Sequence, residues 1–434
     1  MEWDWKCLEE KYVNLYYKND LYYRLLNAYD EIVGKSRSTQ TQNFNNDAYD
    51  TLLLLTEACN MNCKYCFEHH NKSKCGNMDK ETVIKSLEFI NNIGHDTNLS
   101  LFGGEPTINV GAFETIADWI SKNELKSIVY CKITTNGYDV DQRVISSLKK
   151  INEYIPLDIT VSMDGNQETH DAARVDHKGN GTYVTIINNI KKLRDSLPNV
   201  YIVTQSTLTS YNIHQWKDIL FNCKNLKGLS NLHFVNLDDP DMSDNEHTLT
   251  KEDFRPIFEY YYNYMVGVED LFDISFTNMF DNAICDPFRS RIVSICGAGW
   301  KAFGIRPNGD VIPCHKYIDS RNQSSKFKLG NVHIGVTIPE RYVDLNKKIL
   351  ADGAVHNQSG RDCTQCVLKE NCKGCTASNE IISGDIMIKS DKVCERTKML
   401  AELALEYREP WLDKEISKLT KFLESYLRDN NVQY

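Results

Sequence analysis

The sequence lacks a long apolar run, and it lacks the features of a targeting segment at its start. The most notable apolar run, LLLL at 52–55, is far shorter than the ~20 residues that a membrane-spanning helix needs. The first residues, MEWDWKCLEEK, mix acidic and aromatic side chains without the basic and then apolar segments of a signal peptide. We therefore expect a cytoplasmic protein with no membrane partner.

An excess of positive charge is also missing. The chain of 434 residues carries 50 Lys and Arg against 60 Asp and Glu, which gives a net charge of −10. Because a phosphate backbone needs a basic protein face, this balance argues against nucleic acid as a partner. The hydrophobic content of 41% is typical of a globular protein, and the length fits one large catalytic domain with one or two smaller ones.

Short apolar segments alternate with longer amphipathic ones through the first half of the chain. The segments predict strands over 51–56, 99–102, 127–134, 157–162, 200–208 and 232–236. The stretches between and after them predict helices over 80–93, 112–121, 141–150, 183–195 and 212–222. This alternation is typical of a mainly parallel sheet, which right-handed crossovers can curl into a barrel or part of one.

The composition divides the chain into five segments. We expect a helical extension and linker over 1–48, a barrel over 49–240 and a helical bridge over 241–284. A cysteine-rich domain over 285–400 and a helical tail over 401–434 would follow. The linker is the polar, turn-rich segment 35–47, and a break in the tail is predicted at Pro410.

Cysteine is abundant, with 15 residues that are clustered along the chain. In a reducing compartment, clustered thiols indicate metal binding rather than disulfides. Cys59, Cys63 and Cys66 directly follow the first predicted strand with the spacing C-x3-C-x2-C. Three thiolates on one loop can hold an iron–sulfur cube whose fourth iron is open to a substrate or cofactor. Zinc is the alternative, with His69 or His70 as the fourth ligand.

Two further features accompany this triad. Tyr65 precedes the third cysteine, and Gly103-Gly104-Glu105-Pro106 follows the second predicted strand. Together with the triad, these residues resemble the radical S-adenosylmethionine (SAM) superfamily. The resemblance implies that Tyr65 lies at the cofactor and that Gly103, Gly104 and Glu105 accept hydrogen bonds from the SAM ammonium group. On its own, the Gly-Gly-Glu-Pro segment would more often be a plain turn.

Polar residues also end the third and fourth predicted strands. Asn136 lies in a TNG segment and Ser162 in SMDG, and Arg174 follows the latter. By the same resemblance, Asn136 is implied on the ribose side of SAM, and Ser162 and Arg174 at its carboxylate, which suits the planar guanidinium. A strand-end turn or a surface ion pair is the alternative for each. Asp164 is interpreted as structural, because Asp-Gly is a common turn pair.

A second group of cysteines occupies the C-terminal part of the chain. Asn308-Gly309 predicts a hairpin between 302–306 and 310–313, which would bring Cys314 back beside Cys296. A C-x2-C-x5-C-x2-C run and a last cysteine follow, at Cys363, Cys366, Cys372, Cys375 and Cys394. These thiols are too many for one tetrahedral metal and enough for two iron–sulfur clusters, with two zinc ribbons as the alternative.

This arrangement resembles the SPASM extension of radical SAM enzymes. The implied fold is α/β, a partial (β/α)6 TIM-like barrel followed by a cysteine-rich SPASM domain and a C-terminal helix. One auxiliary cluster would be held by Cys363, Cys366, Cys372 and Cys394, and the other by Cys296, Cys314 and Cys375. The second set is one ligand short, and either Cys285 or a substrate thiolate would complete it. Two residues separate the last cysteines of the run, where the family usually has three.

The resemblance also implies a reaction. SAM at the open iron would be cleaved to methionine and a 5′-deoxyadenosyl radical that removes a hydrogen atom from the substrate. Three [4Fe-4S] clusters are implied, one that binds SAM and two auxiliary, together with a reducing partner such as flavodoxin or ferredoxin. SPASM relatives mostly act on peptides and proteins. We therefore expect a radical SAM oxidoreductase that matures a ribosomally made precursor peptide through a thioether or another crosslink.

One residue bears on the choice of substrate. His315 follows Cys314, where sulfatase-maturing relatives carry an Asp that acts as base. A neutral His can accept a proton, so His315 is a candidate catalytic residue, with a surface His at a hairpin end as the alternative. The exchange makes anaerobic sulfatase maturation, the oxidation of Cys or Ser to formylglycine, the second choice.

Two other classes of protein are alternatives at this point, and the sequence leaves two roles for the N-terminal helix. The protein could be an iron–sulfur electron carrier without a SAM site, or a zinc-ribbon interaction protein. The N-terminal helix could take part in binding a leader peptide, or it could cap the barrel.

Overall fold

The structure is a computed structural model, and it describes most of the chain. The described residues are 5–34, 48–66, 68, 74–210, 212–219, 231–236, 249–265, 275–277, 297–299, 301–318, 324–335, 356–369, 372 and 375–430.

One large sheet organises these residues. Its strands are β1 (Tyr49–Thr56), β2 (Thr97–Gly103), β3 (Ile128–Thr135), β4 (Leu157–Ser162), β5 (Tyr201–Leu208), β6 (Asn231–Asn236), β7 (Ser275–Thr277), β8 (Ala302–Ile305), β9 (Asp310–Ile312) and β10 (Gly330–Asn331). Their order is β10-β9-β8-β1-β2-β3-β4-β5-β6-β7, and every pair from β8 to β7 is parallel. β9 and β10 add antiparallel strands at one edge. The sheet is therefore an open, partial barrel.

Helices connect and cover the strands. They are α1 (Trp5–Val33), α2 (Lys80–Asn91), α3 (Val110–Lys122), α4 (Gln142–Asn152), α5 (Gln167–Asp171), α6 (Tyr183–Ser196), α7 (Lys251–Tyr260), α8 (Ser324–Phe327), α9 (Thr376–Ser383) and α10 (Asp391–Asp429). Side chains cap the first helices of the barrel, since Asp79, Asn109 and Asp141 accept hydrogen bonds from the backbone of α2, α3 and α4. Near the last described cysteine, β11 (His356–Asn357) and β12 (Ile388–Lys389) form a small parallel ladder.

The two faces of the barrel sheet differ in polarity. Leu99, Ile133 and Ile159 are fully buried in the main core, which they share with side chains of α2, α3 and α4. Because side chains alternate along a strand, the neighbouring residues face the other side. Two of these neighbours, Tyr130 and Asp158, hydrogen bond to each other through the phenol and the carboxylate. The face turned away from these helices thus carries polar side chains.

The N-terminal and C-terminal helices pack along each other. Leu15 of α1 is fully buried among apolar residues of α10 and of the segment around Leu368. The Arg408 guanidinium of α10 donates to the Asn19 side chain over 2.7 Å, and both residues are buried. Lys18 pairs with Glu409 at 2.8 Å. The N-terminal helix therefore supports the cysteine-rich part of the chain.

Several features predicted from the sequence are confirmed, and one is wrong. The parallel α/β order, the partial barrel, the hairpin after 302 and the C-terminal helix are all present. The predicted break at Pro410 is wrong, because α10 runs through this residue. Proline removes one backbone hydrogen bond. The buried side chains of Leu405 and Leu412, on either side of it, hold the helix in place. Among the described residues, no helix has the length and apolar character needed to cross a membrane.

Candidate functional site

The first cysteine motif lies on the loop at the carboxyl end of β1. Cys59, Cys63 and Cys66 are free, half-buried thiols. Burial raises the pKa of Cys59 and of Cys66 to about 12, and it also raises the pKa of Cys63. These shifts apply to the protein without a cluster, since iron deprotonates a thiol that binds it. This donor set fits an iron–sulfur cube with one iron free of protein ligands.

The glycine pair at the end of β2 allows this loop to cross very close to the sheet. The Gly104 N–H donates to the Thr56 carbonyl over 3.0 Å, and the Glu105 N–H donates to the Ala58 carbonyl over 2.9 Å. A Cβ on Gly103 would lie 2.2 Å from the Thr56 oxygen, and one on Gly104 would lie 2.4 Å from the Ala58 oxygen. Any side chain here would displace the cysteine loop.

This close approach gives a first prediction. Gly104→Ala is expected to push the Ala58 carbonyl away and to misplace Cys59, which should slow SAM cleavage at least about tenfold, or ~1.4 kcal/mol in activation free energy. The rate of 5′-deoxyadenosine formation and the iron content measure the effect. Gly111→Ala is the matched control, because a Cβ there meets no atom within 4 Å. The control should leave both quantities unchanged, and a normal rate in Gly104→Ala would contradict the account.

Glu105 is buried and joins three elements of the site. Its Oε1 accepts from the Thr107 N–H at 3.1 Å and from the Thr107 and Thr135 hydroxyls, each at 2.7 Å. Its Oε2 accepts from the Asn136 N–H over 2.6 Å. The Asn136 side chain in turn donates to Asn60 at 2.8 Å and lies 3.7 Å from the Cys59 sulfur. Glu105 therefore fixes the ends of β2 and β3 beneath the cysteine loop, and its predicted contact with SAM stays a prediction.

A buried ion pair lies under the same loop. The Arg174 Nε donates to the Asp164 Oδ2 over 2.9 Å, and their side chains are 9% and 0% exposed. The Tyr65 hydroxyl also donates to this carboxylate, and the guanidinium lies over the Tyr65 ring, 5.3 Å from its centroid. Asp164 additionally accepts from the Thr207 N–H at 3.0 Å. Asp164 is thus structural, but as a charged partner in addition to its place in a turn.

The remaining predicted SAM residue lies at the rim of the barrel. Ser162 is the last residue of β4, is half-buried, and stands opposite Gln205 of β5. It lies two residues before Asp164 in the chain, and therefore close to the ion pair. The structure brings Ser162, Arg174 and the cysteine loop to the same end of the sheet, where parallel barrels carry their active sites.

A second buried ion pair was not predicted from the sequence. Arg306, in the turn of the β8–β9 hairpin, donates from Nε to Glu57 Oε1 over 2.8 Å and from Nη2 to Oε2 over 3.0 Å. Glu57 lies two residues before Cys59 and also accepts from the Cys75 N–H at 2.7 Å. The pair links the cysteine loop to the hairpin that carries the second group of cysteines.

His315 follows Cys314 at the end of this hairpin. Its ring is half-buried and packs against Phe102 of β2, with 4.8 Å between the ring centroids. The pKa of His315 is lowered to about 3, mainly by burial and further by the positive charges of Lys316 and Lys132. The imidazole is therefore neutral at physiological pH, and it lies against the carboxyl end of β2.

Four cysteines of the second group lie close to each other. Burial raises the pKa of Cys394 to about 11, and the neighbouring thiols of Cys372, Cys366 and Cys363 raise it further. The Thr397 hydroxyl, one turn along α10, donates to the Cys372 sulfur over 3.4 Å. These four thiols are the set that the resemblance implied for one auxiliary cluster.

Cys314 and Cys375 belong to two elements that touch. Cys314 precedes the 3₁₀ turn His315–Ile318, Cys375 caps the start of α9, and this turn and helix are in contact. Both side chains pack against the main core. The predicted ligands Cys285 and Cys296 lie outside the described residues.

In the part of the chain that the structure describes, no group of three or more His, Cys, Asp or Glu side chains is close enough to hold a single metal ion. In an iron–sulfur cube each thiolate binds a different iron, so its ligands are spaced more widely than those around one ion.

The fold and the site define an α/β barrel enzyme that carries thiol ligands at the carboxyl ends of its strands. Two family models match the chain: the radical SAM superfamily over residues 53–221, and SPASM, an iron–sulfur cluster-binding domain, over residues 296–376. The protein is a radical SAM enzyme with a SPASM domain, and its cofactors are SAM and [4Fe-4S] clusters.

Curated relatives agree with this membership. The radical SAM cyclopropyl synthase TigE of Paramaledivibacter caminithermalis is 24% identical over 82% of this chain and 73% of its own length. The cysteine-type anaerobic sulfatase-maturating enzyme of Clostridium novyi is 24% identical over 74% of this chain and 86% of its own length.

Solved structures share the fold. That of anSMEcpe with bound AdoMet and Kp18Cys peptide has a TM-score of 0.65 at 21% identity and covers 85% of this chain and 99% of its own. That of Streptococcus suis SuiB bound to the precursor peptide SuiA has a TM-score of 0.57 at 16% identity and covers 81% of this chain and 77% of its own.

Proposed function

We propose that the protein modifies a ribosomally made precursor peptide and forms a thioether or another crosslink in it. When bound, the first cluster and SAM supply a 5′-deoxyadenosyl radical that takes a hydrogen atom from the peptide. The observation that carries the proposal is the packing of the cysteine loop onto the Gly103-Gly104 segment at the open end of the barrel. Cys59, Cys63 and Cys66 would hold the cluster there.

The residues around this loop would bind and orient SAM. The backbone of Gly103 and Gly104 would face its ammonium group, and Asn136, already bonded to Asn60 of the loop, would serve the ribose side. Ser162 and the Nη atoms of Arg174 would receive the carboxylate, since Asp164 accepts from the Nε of the guanidinium. Tyr65 and Glu105 would hold this arrangement in place through their buried hydrogen bonds.

The second group of cysteines would hold two auxiliary clusters. Cys363, Cys366, Cys372 and Cys394 form one ligand set, and Cys296, Cys314 and Cys375 form the other, with Cys285 or a substrate thiolate as its fourth ligand. Lys389 lies near the set that contains Cys363. Its positive charge lowers the pKa of Cys363, although burial raises this pKa by more. A cation beside a cluster with four thiolates offsets part of their negative charge.

His315 favours peptide crosslinking over sulfatase maturation. With its pKa lowered to about 3, the ring is neutral, whereas the Asp expected in a sulfatase-maturing enzyme would carry a negative charge. It lies against Phe102 at the carboxyl end of β2, where it would contact a bound peptide. The SuiB structure, with its precursor peptide, supports a substrate of this kind.

Mass spectrometry tests the proposal. Reconstituted enzyme, SAM, a reductant and a cysteine-rich peptide encoded next to its gene would be incubated without oxygen. We expect 5′-deoxyadenosine together with a peptide that has lost two hydrogens per crosslink. An unchanged peptide in the presence of 5′-deoxyadenosine would reject the crosslinking proposal and leave the enzyme class intact.

Sulfatase maturation is the second candidate, supported by the Clostridium novyi relative and the anSMEcpe structure with its bound peptide. A peptide with the sulfatase cysteine is the substrate to try, and its conversion to formylglycine would favour this candidate.

We further propose the cytoplasm as location and flavodoxin or ferredoxin as reductant. The division of the chain at residues 48, 240, 284 and 400 is likewise a proposal. It places the start of α10, at Asp391, within the SPASM domain.

A further inference from the structure

The cysteine loop is paired along its length with the segment that carries Arg174. The Asn62 N–H donates to the Val175 carbonyl over 2.8 Å, and the Lys64 N–H donates to the Ala173 carbonyl over 3.0 Å. An antiparallel bridge between Met61 and Asp176 extends this pairing. The hydrogen bonds on either side place the middle cysteine of the loop opposite Arg174.

The guanidinium of Arg174 is held rigidly at this position. Asp164 binds its Nε edge, and the Tyr65 ring covers its face. The Tyr65 hydroxyl in turn donates to the same Asp164 oxygen. Arg174 is 7% exposed and Asp164 fully buried, so little water screens the charge of this group.

The same pairing brings the guanidinium to the thiol of Cys63. Cys63 and Arg174 are directly opposed between two hydrogen-bonded neighbours, so their side chains lie on the same face of the pairing. The Arg174 side chain hydrogen bonds to the Cys63 thiol.

We propose that Arg174 is a positioning residue that raises the reduction potential of the first cluster through an N–H···S hydrogen bond to Cys63, and that Asp164 and Tyr65 fix it for this task. Hydrogen bonds to the sulfur ligands and nearby positive charge stabilise the reduced state of an iron–sulfur cluster. The reductant gives one electron to the cluster, whose net charge becomes more negative by one. The donated hydrogen bond is stronger in that state, since charge-assisted bonds are the strong ones.

This role is distinct from the proposed contact between Arg174 and the SAM carboxylate. It rests on the proposed function only in that Cys63 is a cluster ligand, and it requires neither SAM nor a peptide. The test is therefore a redox titration of the full-length, reconstituted protein without SAM, followed by electron paramagnetic resonance. The variant with alanine at Cys59, Cys63 and Cys66 gives the auxiliary signals to be subtracted.

Two variants separate the hydrogen bond from the charge, and a third is the control. Arg174→Gln is expected to make the cluster at least about tenfold harder to reduce, which for one electron lowers the potential by about 59 mV. Asp164→Asn combined with Arg174→Met removes both charges and the N–H donor, so the shift that remains reports the hydrogen bond. Arg143→Gln is the control, because this exposed arginine pairs with Asp141 on the surface and should leave the potential unchanged.

The outcomes decide the proposal. A lowered reduction potential in both the single and the double variant, each with its cluster bound, supports the proposal. A potential in the double variant equal to that of the unchanged protein overturns it. If Arg174→Gln does not load a cluster because Asp164 is left buried and unpaired, the double variant alone decides. If neither variant binds a cluster, pulsed electron paramagnetic resonance on the unchanged protein, labelled with ¹⁵N-arginine, decides. Weak ¹⁵N coupling to the reduced first cluster is expected, and its absence would overturn the proposal.

Discussion

Alanine at Cys59, Cys63 and Cys66 together is expected to abolish the reductive cleavage of SAM. These three thiols are the proposed ligands of the SAM-binding cluster, and no cleavage can occur without it. The protein should lose about four of its iron atoms, the content of one cube, and should keep those of the auxiliary clusters. Iron analysis and the detection of 5′-deoxyadenosine by chromatography measure both effects.

Cys131→Ala is the matched control for this prediction. Cys131 is fully buried in β3 and belongs to the main core, so its thiol has a packing role. The control should keep its iron content and its cleavage rate. Continued formation of 5′-deoxyadenosine by the triple variant would contradict the assignment of the site.

Loss of the charge on Glu57 is expected to destabilise the protein strongly. Glu57→Gln leaves the Arg306 guanidinium, whose side chain is 6% exposed, without its carboxylate, and breaking a buried pair in this way costs about 3–5 kcal/mol. The free energy of unfolding, from urea denaturation of the cluster-loaded protein without oxygen, measures the loss. Because Glu57 also accepts from the Cys75 N–H, the cysteine loop should loosen as well.

A double variant and a surface pair are the controls here. Glu57→Gln with Arg306→Met removes both charges, so it should recover a large part of the loss. Lys150→Gln removes an exposed partner of Asp118 and should change the free energy of unfolding far less, because surface pairs are screened by water. An equal effect of Glu57→Gln and Lys150→Gln would contradict the role of the buried pair.

The sequence predicted the parts of the fold that local patterns determine. The alternation of apolar and amphipathic segments predicted the parallel strands, and the Asn308-Gly309 pair predicted the hairpin that begins with β8. The spacing of the first cysteines predicted one loop directly after β1. In each case neighbouring residues carry the signal, because periodicity and turn chemistry act over a few positions.

Contacts between distant segments could not be predicted in this way. Glu57 and Arg306 are 249 positions apart, and Asn19 and Arg408 are 389 apart. A charged residue at a strand end or on a helix has many possible partners, and nothing near it in the chain selects one. The position of α1 along α10 follows from such contacts, and the sequence alone left its role open.

Asp164 and Pro410 show two limits of local reasoning. An Asp-Gly pair indicates a turn, and Gly165 does adopt the φ of +78° that favours glycine. The Asp-Gly pair does not, however, predict the ion pair between Asp164 and Arg174. At Pro410 the local rule predicted a break, but the packing of α10 against α1 outweighs the loss of one backbone hydrogen bond.

The most direct test of the account follows a hydrogen atom from peptide to cofactor. The candidate precursor peptide would be made with deuterium at its carbon-bound positions and incubated with reconstituted enzyme, SAM and a reductant in the absence of oxygen. The account predicts 5′-deoxyadenosine that contains deuterium, in step with the loss of mass from the peptide. Modified peptide accompanied by 5′-deoxyadenosine free of deuterium would contradict it.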